Sequence, residues 1–185
     1  MAPEERWPPV YEPEELTRII DDLAHRPDLE AAFYEPVSEL TGPYCQGDVL
    51  SLGSGVPVLT ADGMAEEIGD FEYWLGIGNT CDFARPLADV EWTQVVPLVD
   101  LREATADQLA AFRSYKPSRR FFVPPWPGLV GNRAFAADFL RPVALHRNAV
   151  GGAATVVARM SRSAWVLLHG CLIRFLCRDD GRYEQ

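Results

Sequence analysis

From residue 44 to residue 146 the chain is a run of short apolar stretches, each closed within a few residues by proline, glycine or an Asp-Gly turn. Proline fixes φ and lacks an N–H, and glycine favours turns, so neither a long helix nor an unbroken central strand extends across such points. The stretches read as strands over Gly47–Leu52, Phe71–Ile77, Gln94–Val99, Arg120–Val123, Ala134–Leu140 and Val143–Leu145. Val56–Leu59 holds Pro57 and suits an edge, and Pro97 likewise predicts that part of its strand lies at an edge. Asp62-Gly63 marks a turn, and Thr105-x-x-Gln108 is a capping box opening one short helix. Strands and helices do not alternate as in a doubly wound sheet. The pattern predicts a mainly β, α+β fold: a small, partly open barrel with helices packed on it.

The flanks differ. Residues 1–13 are proline-rich and read as an extended arm carrying Trp7 and Tyr11. Pro13 fits a first helical position, and Leu16, Ile19, Ile20 and Leu23 recur at helical spacing. Pro27 ends that helix, and Asp28–Tyr34 is read as a second short one. At the other end Ser161 caps a helix with Trp165, Leu168, Leu172, Phe175 and Leu176 on its apolar face, at some cost from Gly170. The expected division is an N-terminal arm with helices over 1–43 and a barrel domain over 44–185.

Charge is distributed unevenly along the 185 residues. Residues 1–100 carry 4 Lys/Arg against 21 Asp/Glu, a balance of −17; residues 101–185 carry 13 against 6, a balance of +7. A net charge of −10 argues against nucleic-acid binding by the whole surface but leaves room for a local basic patch. Its candidates are Arg113, Lys116, Arg119, Arg120 and Arg133. The competing expectation, which we favour, is that the acidic and basic halves neutralise each other. The apolar runs fall well short of the ~20 residues a membrane span needs, and Met1–Arg6 lacks an apolar leader, so a cytoplasmic home is expected. Cys45, Cys81, Cys171 and Cys177 form no C-x-x-C pair and are expected as free thiols.

Motifs for phosphate loops, zinc proteases and serine hydrolases are absent, and no cofactor is expected. Gly76-Ile77-Gly78 lacks a third glycine and a following helix, so it marks a bulge or a close backbone approach. Thr80-Cys81-Asp82 directly follows the aromatic strand. Cys81 there is a candidate nucleophile, with His146 or His25 as base and Asp82 to orient it. The structural alternative has Thr80 and Asp82 closing a turn and Cys81 packing as a small apolar residue. A metal held by Asp48, Cys81, Asp82 and a histidine would lack the ligand spacing that helps such sites form. His169 reads as a surface or packing residue, and Asp138 as a turn or ion-pair partner. Arg119-Arg120 beside Phe121-Phe122 can grip phosphate and stack on bases. The favoured expectation instead turns the phenylalanines to the core and pairs the arginines with the acidic half.

Several segments in their order resemble PemK/MazF-type toxins. Gln46-Gly47-Asp48-Val49-Leu50 is similar to their first strand, Tyr73–Asn79 to the central strand, and Val95-Val96-Pro97-Leu98 to the next. Ala134–Arg147, then Ala158-Arg159-Met160-Ser161 and the last helix, resemble their close. The Thr-Cys-Asp motif also resembles a set of uncharacterised bacterial proteins. The toxin resemblance spans about residues 44–178 and implies an SH3-like barrel, usually dimeric, that cuts RNA without a metal and is restrained by an antitoxin. That chemistry uses an arginine in the first long loop and a threonine or serine after the Val-Val-Pro strand. This chain has carboxylates and no arginine in Gly63–Phe71, and Val99-Asp100 after Leu98. Without a cation to stabilise the phosphorane, the expectation becomes a degenerate member that binds RNA or an antitoxin-like protein partner in a toxin–antitoxin or anti-phage system. The alternatives are an active metal-independent endoribonuclease and a thiol-dependent enzyme using Cys81.

Overall fold

The computed structural model describes residues 13–36, 40, 43–52, 56–59, 65–68 and 71–177. The arm, the Asp62-Gly63 turn and much of the Gly63–Phe71 loop lie outside the described residues. Helix α1 (Pro13–Ala24) starts at the expected proline with Glu14 and Glu15 in its first turn, where negative charge meets the helix dipole favourably. The second helix expected over Asp28–Tyr34 does not form. Those residues make turns, held by Leu29 N–H to the Arg26 carbonyl and Ala32 N–H to the Asp28 carbonyl. Tertiary contacts override local propensity in this segment. Tyr34 forms an isolated antiparallel bridge with Met160, the Phe33 carbonyl accepts from Ser161 N–H, and Phe33 is buried in the core.

Seven strands form one antiparallel sheet that does not close on itself: β1 (Asp48–Leu52), β4 (Trp74–Gly76), β5 (Trp92–Asp100), β6 (Arg120–Val123), β7 (Phe135–Asp138), β8 (Val143–His146) and β9 (Ala154–Arg159). Their order is β6-β7-β5-β4-β1-β9, with β8 also on β5. Two further strands, β2 (Val56–Leu59) and β3 (Ala65–Ile68), pair with each other as a separate two-stranded sheet. The result is the expected mainly β, α+β architecture, a partly open barrel with a C-terminal helix.

Long β5 organises the sheet. On one edge it pairs with β4; on the other it pairs first with β8 through Trp92–Val95, then with β7 through Leu98–Asp100. Pro97 falls between those two partners. Leu98 N–H points to the Tyr73 carbonyl on the β4 side, so by alternation the donor that Pro97 lacks would face the gap. A buried proline therefore sits inside the sheet at no cost in ladder bonds, correcting the expectation of an edge.

Two clusters form the interior. The larger joins Ile20 and Phe33 to Leu75, Phe121, Phe135 and the inner face of α5 (Arg162–Leu176). The smaller packs Leu50, Val56, Trp74, Val95 and Val150 on the other side of the sheet. The N-terminal segment thus shares the barrel's main core. Helix α5 buries Ala164, Leu167, Leu168 and Cys171, whereas Leu176, expected on the apolar face, is 74% exposed. A Cβ on Gly170 would lie 3.2 Å from Ile20 Cγ1, so the glycine lets α1 approach α5 closely. Three short helices complete the fold: α2 (Thr80–Phe83), α3 (Ala106–Arg113) and α4 (Arg147–Ala153). The Thr105–Gln108 capping box on α3 forms as expected; α4 occupies residues for which the sequence predicts no element.

Candidate functional site

The loop from Ile77 to Glu91 leaves β4, forms the single turn α2 and enters β5. Its geometry begins with a glycine. Ile77 and Gly78 N–H both donate to the Gln94 carbonyl, the doubled pairing of a bulge. A Cβ on Gly78 would lie 2.2 Å from Thr93 Oγ1 and 3.1 Å from Gln94 N, so only glycine permits this approach. Both expectations for Gly76–Gly78, bulge and close approach, describe the observed backbone.

Thr80 anchors the loop to the turn that leads into β1. Its hydroxyl accepts from Gln46 N–H at 2.9 Å, while the Gln46 side chain donates to the Ile77 carbonyl at 2.7 Å and accepts from Trp165 Nε1 at 3.0 Å. Beneath this, Asp48, 1% exposed, receives Arg159 Nε at 2.7 Å and a terminal guanidinium nitrogen at 2.9 Å, and it also accepts from Cys45 N–H at 2.8 Å. The pair is bidentate and joins β1 to β9. Burial, then the neighbouring Asp48, pushes the Cys45 thiol up, with Arg159 and the Thr80 hydroxyl partly offsetting them. Cys45 is therefore no activated thiolate.

Arg147 anchors the other end of the loop. Its guanidinium donates to the carbonyls of Phe83 (2.8 Å), Arg85 (3.2 Å) and Val90 (2.6 Å) and stacks over the Phe83 ring. Between the anchors Cys81 is exposed and its side chain forms no hydrogen bond among the described residues. Asp82 is half-buried, with no side-chain hydrogen bond or ion pair among the described residues. His146 is engaged elsewhere: its Nδ1 accepts from Asn148 N–H at 3.3 Å as the cap of α4, and its ring meets Trp92 edge-on at 5.4 Å. An accepting Nδ1 places the neutral ring's proton on Nε2. His25 lies at the end of α1, its Nδ1 2.7 Å from the Asp21 carbonyl. Thr80, Cys81, Asp82 and His146 thus share a region of the fold, but no hydrogen bond joins the thiol to a base or Asp82 to an imidazole.

The basic candidates separate into two kinds. Arg133 pairs with Glu72 at 2.8 Å and Asp100 at 3.2 Å and lies over the Phe135 ring. Arg120 reaches Asp138 at 4.0 Å, and Asp138 also faces Arg141 at 3.7 Å. The partner of Arg120 comes from the C-terminal half, not the acidic half. Phe121 and Phe122 are both buried, since core lies on each face of β6. Arg113, Lys116 and Arg119 are exposed and form no side-chain ion pair or hydrogen bond among the described residues. They lie on the segment from the end of α3 to β6, with β7 and β5 between β6 and the strand that precedes Thr80.

Sequence reasoning missed Gln46, Trp165, Arg147 and the Asp48–Arg159 pair. Their partners lie between 31 and 119 residues away, so no local spacing signals them. Among the described residues no group of three His, Cys, Asp or Glu side chains is arranged to hold a metal ion, and no helix is long and apolar enough to cross a membrane. The fold and site define an α+β, partly open antiparallel barrel bearing a loop clamped at both ends. Comparison with protein-family models, curated proteins and solved structures finds no match for this chain.

Proposed function

We propose that this chain is a PemK/MazF-like, SH3-like barrel that acts by binding single-stranded RNA rather than cutting it, in a toxin–antitoxin or anti-phage setting. The supporting observation is where positive charge remains available. Arg159 is neutralised by Asp48, and the exposed Arg85 has no hydrogen bond that fixes it against Thr80 or Cys81, whereas the exposed Arg113, Lys116 and Arg119 cluster on the segment from α3 to β6. Phosphoryl transfer needs a cation at the reacting group; phosphate binding needs only exposed cations. Three phosphate contacts on a single strand give a slope of log K against log salt of about −2. Filter binding on a long single-stranded RNA across a salt series measures it. Changing Lys116 or Arg119 to Gln should flatten the slope by about 0.7 each. Robust metal-independent cleavage of that RNA, or a slope untouched by these changes, overturns the reading.

A protein partner is the second reading, supported by Trp92, 57% exposed beside His146, and by the net charge of −10. Exposed tryptophans anchor interfaces, and an acidic surface disfavours nucleic acid. Failure to bind RNA together with a stable complex with a co-encoded small protein would favour it. The family resemblance also carries a homodimer, which light scattering over a concentration series tests.

A further inference from the structure

A cavity of about 260 Å³ opens where the turns after α1 meet the end of α3 and the end of β6. Leu29, Phe33 and Phe122 give it apolar walls, and Tyr115, Glu30 and Arg113 supply its polar groups. Tyr115 is 3% exposed, and the little surface it keeps includes its hydroxyl, which forms no hydrogen bond among the described residues. Burial holds the phenol well above its ordinary value, with Cys171 and Glu30 adding to the effect, so the hydroxyl keeps its proton at neutral pH. Its backbone lies in the left-handed region at φ +52, held by Tyr115 N–H to the Phe112 carbonyl and by the Arg174 guanidinium on its own carbonyl.

The charges are arranged unusually. Arg26, also lining the cavity, is spent on Asp28 through two hydrogen bonds. Glu30 and Arg113 are exposed, pair with nothing among the described residues, and do not bridge to each other. One free carboxylate and one free guanidinium therefore flank an apolar hollow that Tyr115 also lines. An anion alone would leave Glu30 opposed, and a cation alone would leave Arg113 opposed. The volume is below the ~300–1,000 Å³ of pockets for drug-sized ligands.

We infer that this cavity is a binding site for a small zwitterion, a free α-amino acid with an apolar side chain. Glu30 takes the ammonium group, Arg113 and the Tyr115 hydroxyl take the carboxylate, and the side chain lies against Leu29, Phe33 and Phe122. The site shares Arg113 with the RNA reading but does not rest on it: the titration contains no RNA, and Glu30 lies outside the cationic segment.

Calorimetric titration of the whole chain with L-phenylalanine, L-leucine, phenylacetate and phenethylamine tests it. At least one of the two amino acids should bind saturably, and more tightly than either singly charged analogue. Losing one charge-assisted contact should weaken binding about tenfold. Glu30→Gln should weaken the amino acid and phenethylamine but not phenylacetate; Arg113→Gln should do the reverse for the analogues. Both residues are exposed, and circular dichroism verifies that the variants remain folded. Absence of saturable binding by both amino acids, equal binding of a singly charged analogue, or indifference to both substitutions overturns the inference.

Discussion

Cys81 and Cys171 show how position decides the chemistry of identical side chains. Cys81 projects from a one-turn helix into solvent. Cys171 lies inside α5, 1% exposed, where burial pushes its thiol up to about 12 despite Arg174 nearby. Reactivity follows thiolate fraction and access. Iodoacetamide at neutral pH is expected to label Cys81 in the native protein at the rate of an ordinary free thiol, and Cys171 only after denaturation. Mass spectrometry of the labelled peptides reads both. Labelling of Cys81 much faster than a free thiol would revive the thiol-enzyme alternative, because a hidden base would then be lowering its pKa. The Thr-Cys-Asp motif stood out in the sequence, but the contacts that hold Thr80 and engage His146 did not. Gln46 comes from the turn before β1, 34 residues upstream of Thr80, and His146 at the end of β8 is taken up as the cap of α4.

At the scale of elements, the clamped loop depends on the bulge at its root. Gly78→Ala would drive a Cβ into Thr93 Oγ1 and against the β5 backbone. The Thr93 side chain can rotate away, but Gln94 N cannot, so a destabilisation of about 1–3 kcal/mol is expected from the overpacking. Urea unfolding monitored by tryptophan fluorescence measures it. A change below about 0.5 kcal/mol, typical of unconstrained surface sites, would show that the approach is not tight. The double glycine was legible as a bulge because glycine has few other reasons to recur in a strand. The helix expected after Pro27 failed for the opposite reason. Leu29, Glu30, Ala31 and Ala32 favour a helix locally, but the bridge from Tyr34 to Met160 required extended backbone. Strand ends were overestimated at Phe71–Ile77, where only Trp74–Gly76 pair regularly, because an apolar run carries no mark of where its partner stops.

On the scale of the whole molecule, several acidic groups are buried or half-buried in their neutral forms. Cys171, Tyr34 and Tyr115 all have values raised in the folded chain, mainly by burial. Unfolded, they ionise near their ordinary values of 9.0 for the thiol and 10.0 for the phenols. The folded state then holds protons that the unfolded state releases, so this contribution is complete below about pH 9 and is lost as pH rises toward 12. The urea midpoint should fall between about pH 8 and pH 11, and Cys171→Ala should make that fall shallower. A midpoint flat across this range would contradict burial of all three. Charge, too, is organised across the molecule. Arg159 meets Asp48 and Arg133 meets Glu72, each pair joining the basic half to the acidic half, as the charge asymmetry led us to expect. Arg120 departs from that pattern because β6 and β7 are neighbours in the sheet and Asp138 is its register partner.

The amino-acid order alone determined the elements whose causes are local: proline-started α1, the Thr105–Gln108 box, the Ser161-capped α5, the short strands and hence a mainly β fold. Only the tertiary structure decided which charges cancel, why Pro97 is tolerated inside the sheet, and which side chains surround the cavity at Tyr115. Those outcomes depend on contacts between residues tens of positions apart. Their free energies exist only once the sheet has brought them within a few ångströms, and no periodicity along the chain encodes them.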